Sequence, residues 1–205
     1  MRAPVGLFSV ALVTFNVLVY VFLLAPIVVI VVSSFGSTGF LAFPPQGLSF
    51  RWYASALGNQ QYWSAFQTSI GIALTVGVLA TIIGGMASVA LVRFRFPGRG
   101  LLTALFLSPL MLPTLVLAVA ILLLSSQLHL EASTGRLIAA HLIVTVPYVL
   151  RTSMPVLQRA DRALEEAAQD LGATPISAFF LVTLPVVRSG VLAGALFAFM
   201  ISFDE

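Results

Sequence analysis

The stretch from Asp161 to Pro185 reads DRALEEAAQDLGATPISAFFLVTLP, the one long, strongly charged piece of an otherwise apolar chain. Its apolar residues recur at i, i+3, i+4 and i+7, the spacing of one helix face: Leu164, Ala167, Ala168 and Leu171. The polar residues fall on the opposite face: Arg162, Glu165, Glu166, Gln169 and Asp170. A helix of about ten residues is far shorter than the roughly 20 that cross a bilayer. The sequence therefore predicts a short amphipathic helix outside the membrane or in its surface.

Both ends of this helix carry termination signals. Asp161 is placed to cap its N-terminus, because a carboxylate there accepts hydrogen bonds from free backbone N–H groups. Gly172 is placed to end it as the C′ residue. Thr174 and Pro175 then have the types preferred at the N-cap and first position of a second helix. The pattern predicts a helix, a tight corner and a new apolar helix.

The composition excludes several classes of protein. With 60% hydrophobic and 8% charged residues, the chain is not an ordinary soluble domain. It has no cysteine and no lysine, which excludes disulfides, a thiol nucleophile and a Walker A lysine. Any ATP chemistry must then come from another chain. His129 and Glu131 are weak candidates for metal ligands, and we expect no metal site and no bound cofactor.

The apolar runs predict an all-α polytopic membrane protein with five spans. We expect the first four at about residues 7–32, 66–92, 101–124 and 137–157. The fifth is expected to begin near Val186 or Gly190 and to continue to the last residues of the sequence. The first run is too long for a signal peptide and is interpreted as a retained helix. Pro109 and Pro113 predict a kinked or locally unwound third span.

The segment between the first two spans is a loop rich in glycine, proline and aromatic residues. Within it we expect a short helix from Phe50 to Leu57, with Ser49 as its cap. Four aromatic residues suit the membrane–water interface: Trp52, Tyr53, Tyr62 and Trp63. Two interpretations remain open for this loop, namely simple anchoring at the interface and docking of a partner.

The arginines predict the orientation of the chain. If the spans alternate, one side carries most of them: Arg2, Arg93, Arg95, Arg99, Arg159, Arg162 and Arg188, with Arg151 near that end. The other side carries Arg51 and Arg136. The positive-inside rule then places the N-terminus and the amphipathic helix in the cytoplasm of a bacterial cell, with the chain in the inner (plasma) membrane. This charge pattern explains the net charge of +3 without nucleic-acid binding.

The residues Glu166-Ala167-Ala168 are followed after three residues by Gly172 and, after nine more, by Val182-x-Leu184-Pro185. This spacing resembles the EAA motif of type I ABC importer permeases, with valine in place of isoleucine. Three further segments look most like the spermidine/putrescine branch of that family: Ser49-Phe50-x-Trp52-Tyr53, the turn at 93–98, and the run 201–205. The resemblance implies a permease subunit that is not itself an enzyme and that takes part in ATP-driven, binding-protein-dependent import. The implied solute is a polyamine or another small solute, because related permeases carry ferric iron, thiosulfate-type anions or organic cations.

The resemblance also implies partners and site residues. The expected partners are ABC ATPase subunits that bind the ATP, a second permease, an extracytoplasmic solute-binding protein and membrane lipid. The second permease is either a different protein, which the polyamine branch favours, or an identical copy. The residues implied in ATPase coupling are Glu165, Glu166, Ala167, Ala168, Asp170, Gly172, Val182, Leu184 and Pro185. Glu166 is the implied polar contact and Gly172 the implied turn.

The same resemblance implies a division of the chain into residues 1–64, a first helix with an outer loop, and 65–205, the type I transmembrane domain with a cytoplasmic coupling segment at 158–188. Because the family usually has six spans, we expect this chain to be truncated within the fifth.

Asp204, Glu205 and Tyr148 are the candidates for the substrate pathway. Carboxylates in a membrane span are rare and usually functional. Two roles remain open for Asp204 and Glu205, attraction of a cationic polyamine or satisfaction of a polar bundle interior.

Two other classes of protein share some of these features. A CAAX-type intramembrane protease shares the Glu165-Glu166 pair, but position 170 is Asp and the segment does not span a membrane. An ion-coupled secondary transporter is the alternative function, because kinked helices and buried carboxylates suit ion coupling. It predicts inverted repeats, and the sequence shows none.

Overall fold

The computed structural model describes residues 6–205, apart from the side chain of Leu7. Arg2, one of the arginines that predict the orientation, lies outside the described residues. Regular structure in the described part is helical, with one isolated β-bridge between Gly36 and Leu48. The predicted all-α class is confirmed.

The helices are named in chain order. They are α1 (Leu7–Ser34), α2 (Arg51–Leu57), α3 (Gln60–Arg93), α4 (Arg99–Leu107), α5 (Thr114–Gln127), α6 (Thr134–Arg159), α7 (Ala163–Asp170), α8 (Pro175–Ala178) and α9 (Leu184–Asp204). A 3₁₀ turn (Ser108–Met111) follows α4, and a π-helical turn (Phe179–Thr183) joins α8 to α9. The chain divides into two compact units, residues 1–65 and 66–205, and α3 begins in the first and continues into the second.

The first unit consists of α1, α2 and the loop between them. The loop is held by aromatic contacts: Phe35 lies 5.4 Å from Tyr53 and 5.5 Å from Phe50 between ring centroids. The indole of Trp52 donates to the carbonyl oxygen of Gly36 at 3.2 Å. Ser49 Oγ accepts from the N–H of Arg51, so the expected cap is present and the helix begins one residue later than predicted. Trp52 and Tyr53 therefore also hold the loop together.

The core of the second unit is built by α3, α6 and α9. The buried residues of α3 recur at helical spacing and include several small ones: Ile72, Ala73, Val76, Gly77, Ala80, Gly84, Ser88 and Leu91. Small residues allow helix backbones to approach closely in lipid. A Cβ added at Gly84 would lie 2.7 Å from Cβ of Val149 on α6, and one added at Gly194 on α9 would lie 2.9 Å from Val149 Cα. The three helices therefore meet around Val149.

The third expected span is broken. The helix pair Arg99–Met111 and Thr114–Gln127 bends by 110° at Leu112 and Pro113. Leu112 is extended (φ −99°, ψ 140°), as expected because a residue before proline is disfavoured in the helical region. The predicted kink is therefore present, and it is large enough that the pair either crosses the membrane as a broken span or turns back on itself.

An ion pair decides between these two arrangements. Arg93 at the end of α3 lies 2.6 Å from Glu165 on α7, so these two chain positions share one end of the unit. Between them, α6 alone extends about 39 Å from one end of the unit to the other. The α4–α5 pair must therefore carry the chain to the opposite end before α6 begins, and it counts as a crossing. The described residues contain four long apolar helices, Phe8–Ser34, Gln60–Arg93, Thr134–Arg159 and Pro175–Asp204, and the count agrees with the five spans predicted when this broken pair is counted as one.

The fifth span begins earlier than predicted. A continuous helical run extends from Pro175 to Asp204, so the expected start near Val186 or Gly190 is wrong. Pro185 lies at the second position of α9, directly after the π-helical turn. The wider π turn accommodates a residue that has no N–H to donate, and the helix continues through the proline instead of starting after it.

Candidate functional site

The short helix α7 is the predicted amphipathic helix. The Asp161 carboxylate accepts from the N–H of Ala163 at 2.9 Å, so the capping group is the expected one, although the helix begins one residue later than expected. Glu165 and Glu166 lie in its first turn, where negative charge favours the helix dipole. The eight residues of α7 leave it much too short to cross a membrane.

The corner after α7 has well-defined geometry. Gly172 has φ +94°, a conformation that L side chains rarely adopt. Its N–H donates to the Gln169 carbonyl (2.9 Å), and that of Ala173 to the Ala168 carbonyl (3.0 Å). This bond pair defines a Schellman motif and satisfies two carbonyls at the helix end. Thr174 then caps α8 by accepting from the N–H of Ser177, as predicted.

The packed side of α7 differs from the prediction. The pattern places Glu165 among the solvent-facing polar residues, but only 20% of its side chain is exposed, because it pairs with Arg93. The predicted apolar face is instead open, with Leu164 51% exposed and Leu171 91% exposed. Glu166 is exposed and pairs with Arg162 at 3.3 Å, an i,i+4 contact. The exposed surface of α7 and its corner therefore combines the apolar Leu164 and Leu171 with two carboxylates, those of Glu166 and Asp170.

The two halves of the motif meet in space. The helix α7 packs against the π-helical turn, which contains Val182. Leu184 and Pro185 begin α9 directly after that turn. The residues implied in coupling thus form one continuous structure, comprising a capped helix, a fixed corner and the start of a membrane helix.

A cavity of about 440 Å³ lies at the other end of the unit, between α5, α6 and α9. Half of its sixteen lining residues are aliphatic. Its polar lining consists of five hydroxyl residues, one imidazole and two charged groups: Thr114, Ser125, Ser133, Thr145, Ser202, His141, Arg136 and Glu205. Apolar walls with a few placed polar groups are typical of sites for small solutes.

Ring atom Nδ1 of His141 and Oγ of Ser202 share a hydrogen bond of 2.8 Å that joins α6 to α9 at this cavity. His141 is not among the residues predicted for a site from the sequence. The sequence feature that could have identified His141 is its position as an ionisable residue inside an apolar span, because such residues are functional by default. Its partner is 61 residues away in sequence, so the pairing had no local signature.

Replacing Ser202 by alanine is expected to lower the free energy of unfolding by about 1 kcal/mol, because Nδ1 of His141 loses its partner in a partly buried position. The thermal unfolding midpoint in detergent would measure this. Ser125→Ala is the matched control, since the Ser125 hydroxyl donates only to a carbonyl of its own helix. Equal shifts in both variants would contradict an inter-helix role for the His141–Ser202 bond.

The structure separates the three residues predicted for the substrate pathway. Glu205 lines the cavity, whereas Asp204 and Tyr148 do not. The ring of Tyr148 stacks on Phe197 with 6.4 Å between centroids. Asp204 and Glu205 follow Ser202, which lies beside the eighth residue of the 26-residue α6. They therefore lie nearer the first residue of α6 than its middle.

Residues 77–205 match the protein family described as "Binding-protein-dependent transport system inner membrane component". The putrescine transport system permease protein PotI of Escherichia coli (strain K12) is 36% identical over 193 residues, which cover 91% of this chain and 68% of that protein. The spermidine/putrescine transport system permease protein PotC of Haemophilus influenzae is 32% identical over 191 residues, covering 93% and 74%. The sulfate transport system permease protein CysT of Salmonella typhimurium is 32% identical over 173 residues, covering 77% and 61%.

These relatives are transport subunits and not enzymes, and the ion-coupled alternative finds no support among them. The described helices, the EAA spacing and the family match over residues 77–205 agree with one another. The chain belongs to the family of inner-membrane components of binding-protein-dependent transport systems, and it is a permease.

Proposed function

We propose that this permease forms half of a solute pathway together with a second permease, and that a separate ATPase drives it by binding α7. The observation that carries the proposal is the exposed apolar surface on the α7 corner, where Leu164, Leu171 and Ile176 are at least half exposed. Exposed apolar patches of this kind mark interaction surfaces. ATP is bound by the partner, and the permease itself requires no cofactor.

The arginines of the second unit support a cytoplasmic position for this surface. Because the ion pair joins the end of α3 to α7, five arginines lie at the α7 end of the unit, and this placement does not assume that the spans alternate: Arg93, Arg95, Arg99, Arg159 and Arg162. Arg136 lies at the other end of α6. The positive-inside rule then places α7 in the cytoplasm, where an ATPase is available, and the cavity end outside. With α1 as one further crossing, the N-terminus is cytoplasmic.

The corner is suited to transmit motion. Both ends of α7 are fixed by hydrogen bonds, and α7 packs on the π-helical turn that leads into α9. A displacement of α7 is therefore transmitted to α6 and α9 and is not absorbed by a flexible loop. Because α6 and α9 line the cavity, closing and opening of the ATPases would change access to it. A binding protein delivers the solute from outside.

The absence of cysteine permits a direct test. A single cysteine at Ala167, which is exposed, and one in the surface of the candidate ATPase are expected to form a crosslink in inverted membrane vesicles, with a yield that changes on addition of ATP. Ala168→Cys is the matched control, because the adjacent Ala168 is half-buried and is expected to crosslink less.

Reaction of the Ala167 cysteine with a water-soluble maleimide in the same vesicles would confirm that α7 faces the cytoplasm. Absence of a crosslink in a protein that reacts with maleimide would remove the coupling assignment. Protection from maleimide without ATPase present would place α7 in the membrane surface instead.

We further propose a polyamine as the solute. The support comes from two relatives that are named as polyamine permeases. Their similarity to this chain covers 91% and 93% of it, whereas the similarity of the sulfate permease covers 77%. Uptake of labelled putrescine, competed by spermidine and not by sulfate, would support the assignment, and the reverse pattern would overturn it.

A further inference from the structure

The ion pair between Arg93 and Glu165 has a role that the coupling motif does not include. We propose that Arg93 is a positioning residue that fixes α7 against the end of α3, so that movement of α7 is passed to α3 as well as to α6 and α9. This inference rests on the proposed function, because it takes α7 as the segment that an ATPase moves.

The burial of the pair supports a specific role. Nη2 of Arg93 donates to Oε1 of Glu165 at 2.6 Å, and the two side chains are 13% and 20% exposed. A short, charge-assisted bond in a partly desolvated site is stronger than one in water. The other ion pair of α7, between Arg162 and Glu166, is longer and is 64% and 63% exposed. Exposed pairs of that kind contribute little.

The pair joins α7 to a part of the chain that is distant in sequence. The helix α7 is joined covalently to α6 before it and to α8 after it, whereas Arg93 is 72 residues away from Glu165. Arg93 is the last residue of α3, and α3 packs on α6 at Gly84 and on α9 near Gly77. The pair therefore connects the moving segment to the third helix of the core.

The geometry also allows the pair to persist during movement. Nε of Arg93 is buried and has no hydrogen-bond partner among the described residues. The guanidinium therefore holds the carboxylate through one nitrogen and keeps a second donor free. A small shift of Glu165 would bring its other oxygen to Nε and form the two-pronged contact that arginine and carboxylate favour. The free Nε thus offers the pair a second, two-pronged arrangement, which the proposed movement of α7 would use.

The first test measures coupling in proteoliposomes that contain the complete transporter. Arg93→Glu and Glu165→Arg are each expected to lower the number of solutes transported per ATP hydrolysed by about 10-fold, while ATP hydrolysis continues. The double exchange of both residues is expected to restore most of the ratio, whereas Arg93→Lys, which keeps the charge but lacks the second donor, is expected to restore only part of it. Arg95→Glu is the matched control, since Arg95 lies on the same turn, is exposed and has no ion pair among the described residues.

The second test needs no ATPase. Spin labels on cysteines at Phe94 and Gln169, both exposed, report the distance between the end of α3 and α7. Arg93→Glu is expected to broaden the distance distribution, and the double exchange to narrow it again. An unchanged distribution in Arg93→Glu would overturn the positioning role.

The two tests also separate the inference from the function on which it rests. Normal solute-to-ATP ratios in both single variants would overturn the inference, as would a correctly inserted double exchange that fails to recover. If the wild-type protein shows no ATP-dependent uptake and no Ala167 crosslink, the proposed function fails. In that case the spin-label distances still decide whether Arg93 positions α7.

Discussion

Replacing Gly172 by valine is expected to reduce solute uptake to near background while the protein still folds and inserts. Gly172 has φ +94°, and a β-branched side chain in that region costs about 1–3 kcal/mol. A Cβ added there would meet no atom within 4 Å, so the effect arises from the backbone alone. The chain would relieve the strain by losing the Schellman bonds, and α7 would no longer hold a fixed angle to α8. Uptake in vesicles, measured beside the thermal unfolding midpoint in detergent, checks both parts.

Two variants control this prediction. Gly172→Asn should retain much of the uptake, because asparagine tolerates a positive φ better than other residues. Gly98→Val introduces the same kind of strain elsewhere, since Gly98 has φ +83° and also has open space around it. If Gly98→Val abolished uptake as fully as Gly172→Val, the loss would reflect strain in general and not the α7 corner.

Replacing Gly84 by leucine is expected to destabilise the second unit by about 3 kcal/mol and to lower the yield of folded protein. Its Cβ would lie 2.7 Å and 2.9 Å from two side-chain atoms of Val149, and 3.2 Å from the carbonyl oxygen of Val146. Val149 is fully buried and has no room to move away. The helices α3 and α6 would have to separate, and the core around Val149 would be lost. The thermal midpoint and the monodisperse fraction in detergent measure the effect.

The neighbouring glycine provides the matched control. A Cβ added at Gly85 would meet nothing within 4 Å, so Gly85→Leu carries the same change of residue on the same helix without the clash. It is expected to fold as well as the wild type. Similar losses in both variants would show that leucine is harmful to this helix for a reason other than packing against α6.

The features that the sequence predicted well are those with local causes. The Asp161 cap, the Gly172 corner and the Thr174–Pro175 start each depend on residues within one helical turn, and all three are present. The apolar runs predicted the spans because length and composition alone decide that a helix crosses a membrane. The start of the fifth span was wrong because a π-helical turn let the helix continue through Pro185.

The features that the sequence did not predict depend on contacts between distant residues. Periodicity placed Glu165 on the solvent side of α7, because a single helix carries no information about an arginine at the end of another. The pairing of His141 with Ser202 is of the same kind. Two prolines predicted a break in the third span, but the angle of 110° depends on how both halves pack. The sequence thus defined the helices and their ends, and the packing defined the candidate site.

The π-helical turn at Phe179–Thr183 gives the spacing of the motif a geometric meaning. Each residue added to a helix rotates the next part of the chain by about 100° while advancing it by only about 1.5 Å. From Pro175 to Asp204 the helical run is continuous, so the number of residues between Gly172 and Val182 sets the rotational phase between the α7 corner and the cavity-lining face of α9. A deletion of one residue in α8, the α-helical part of this interval, would change the position of the corner very little and its direction greatly. The nine-residue interval of the motif therefore determines the direction in which the α7 corner faces relative to α9 more than the distance between them.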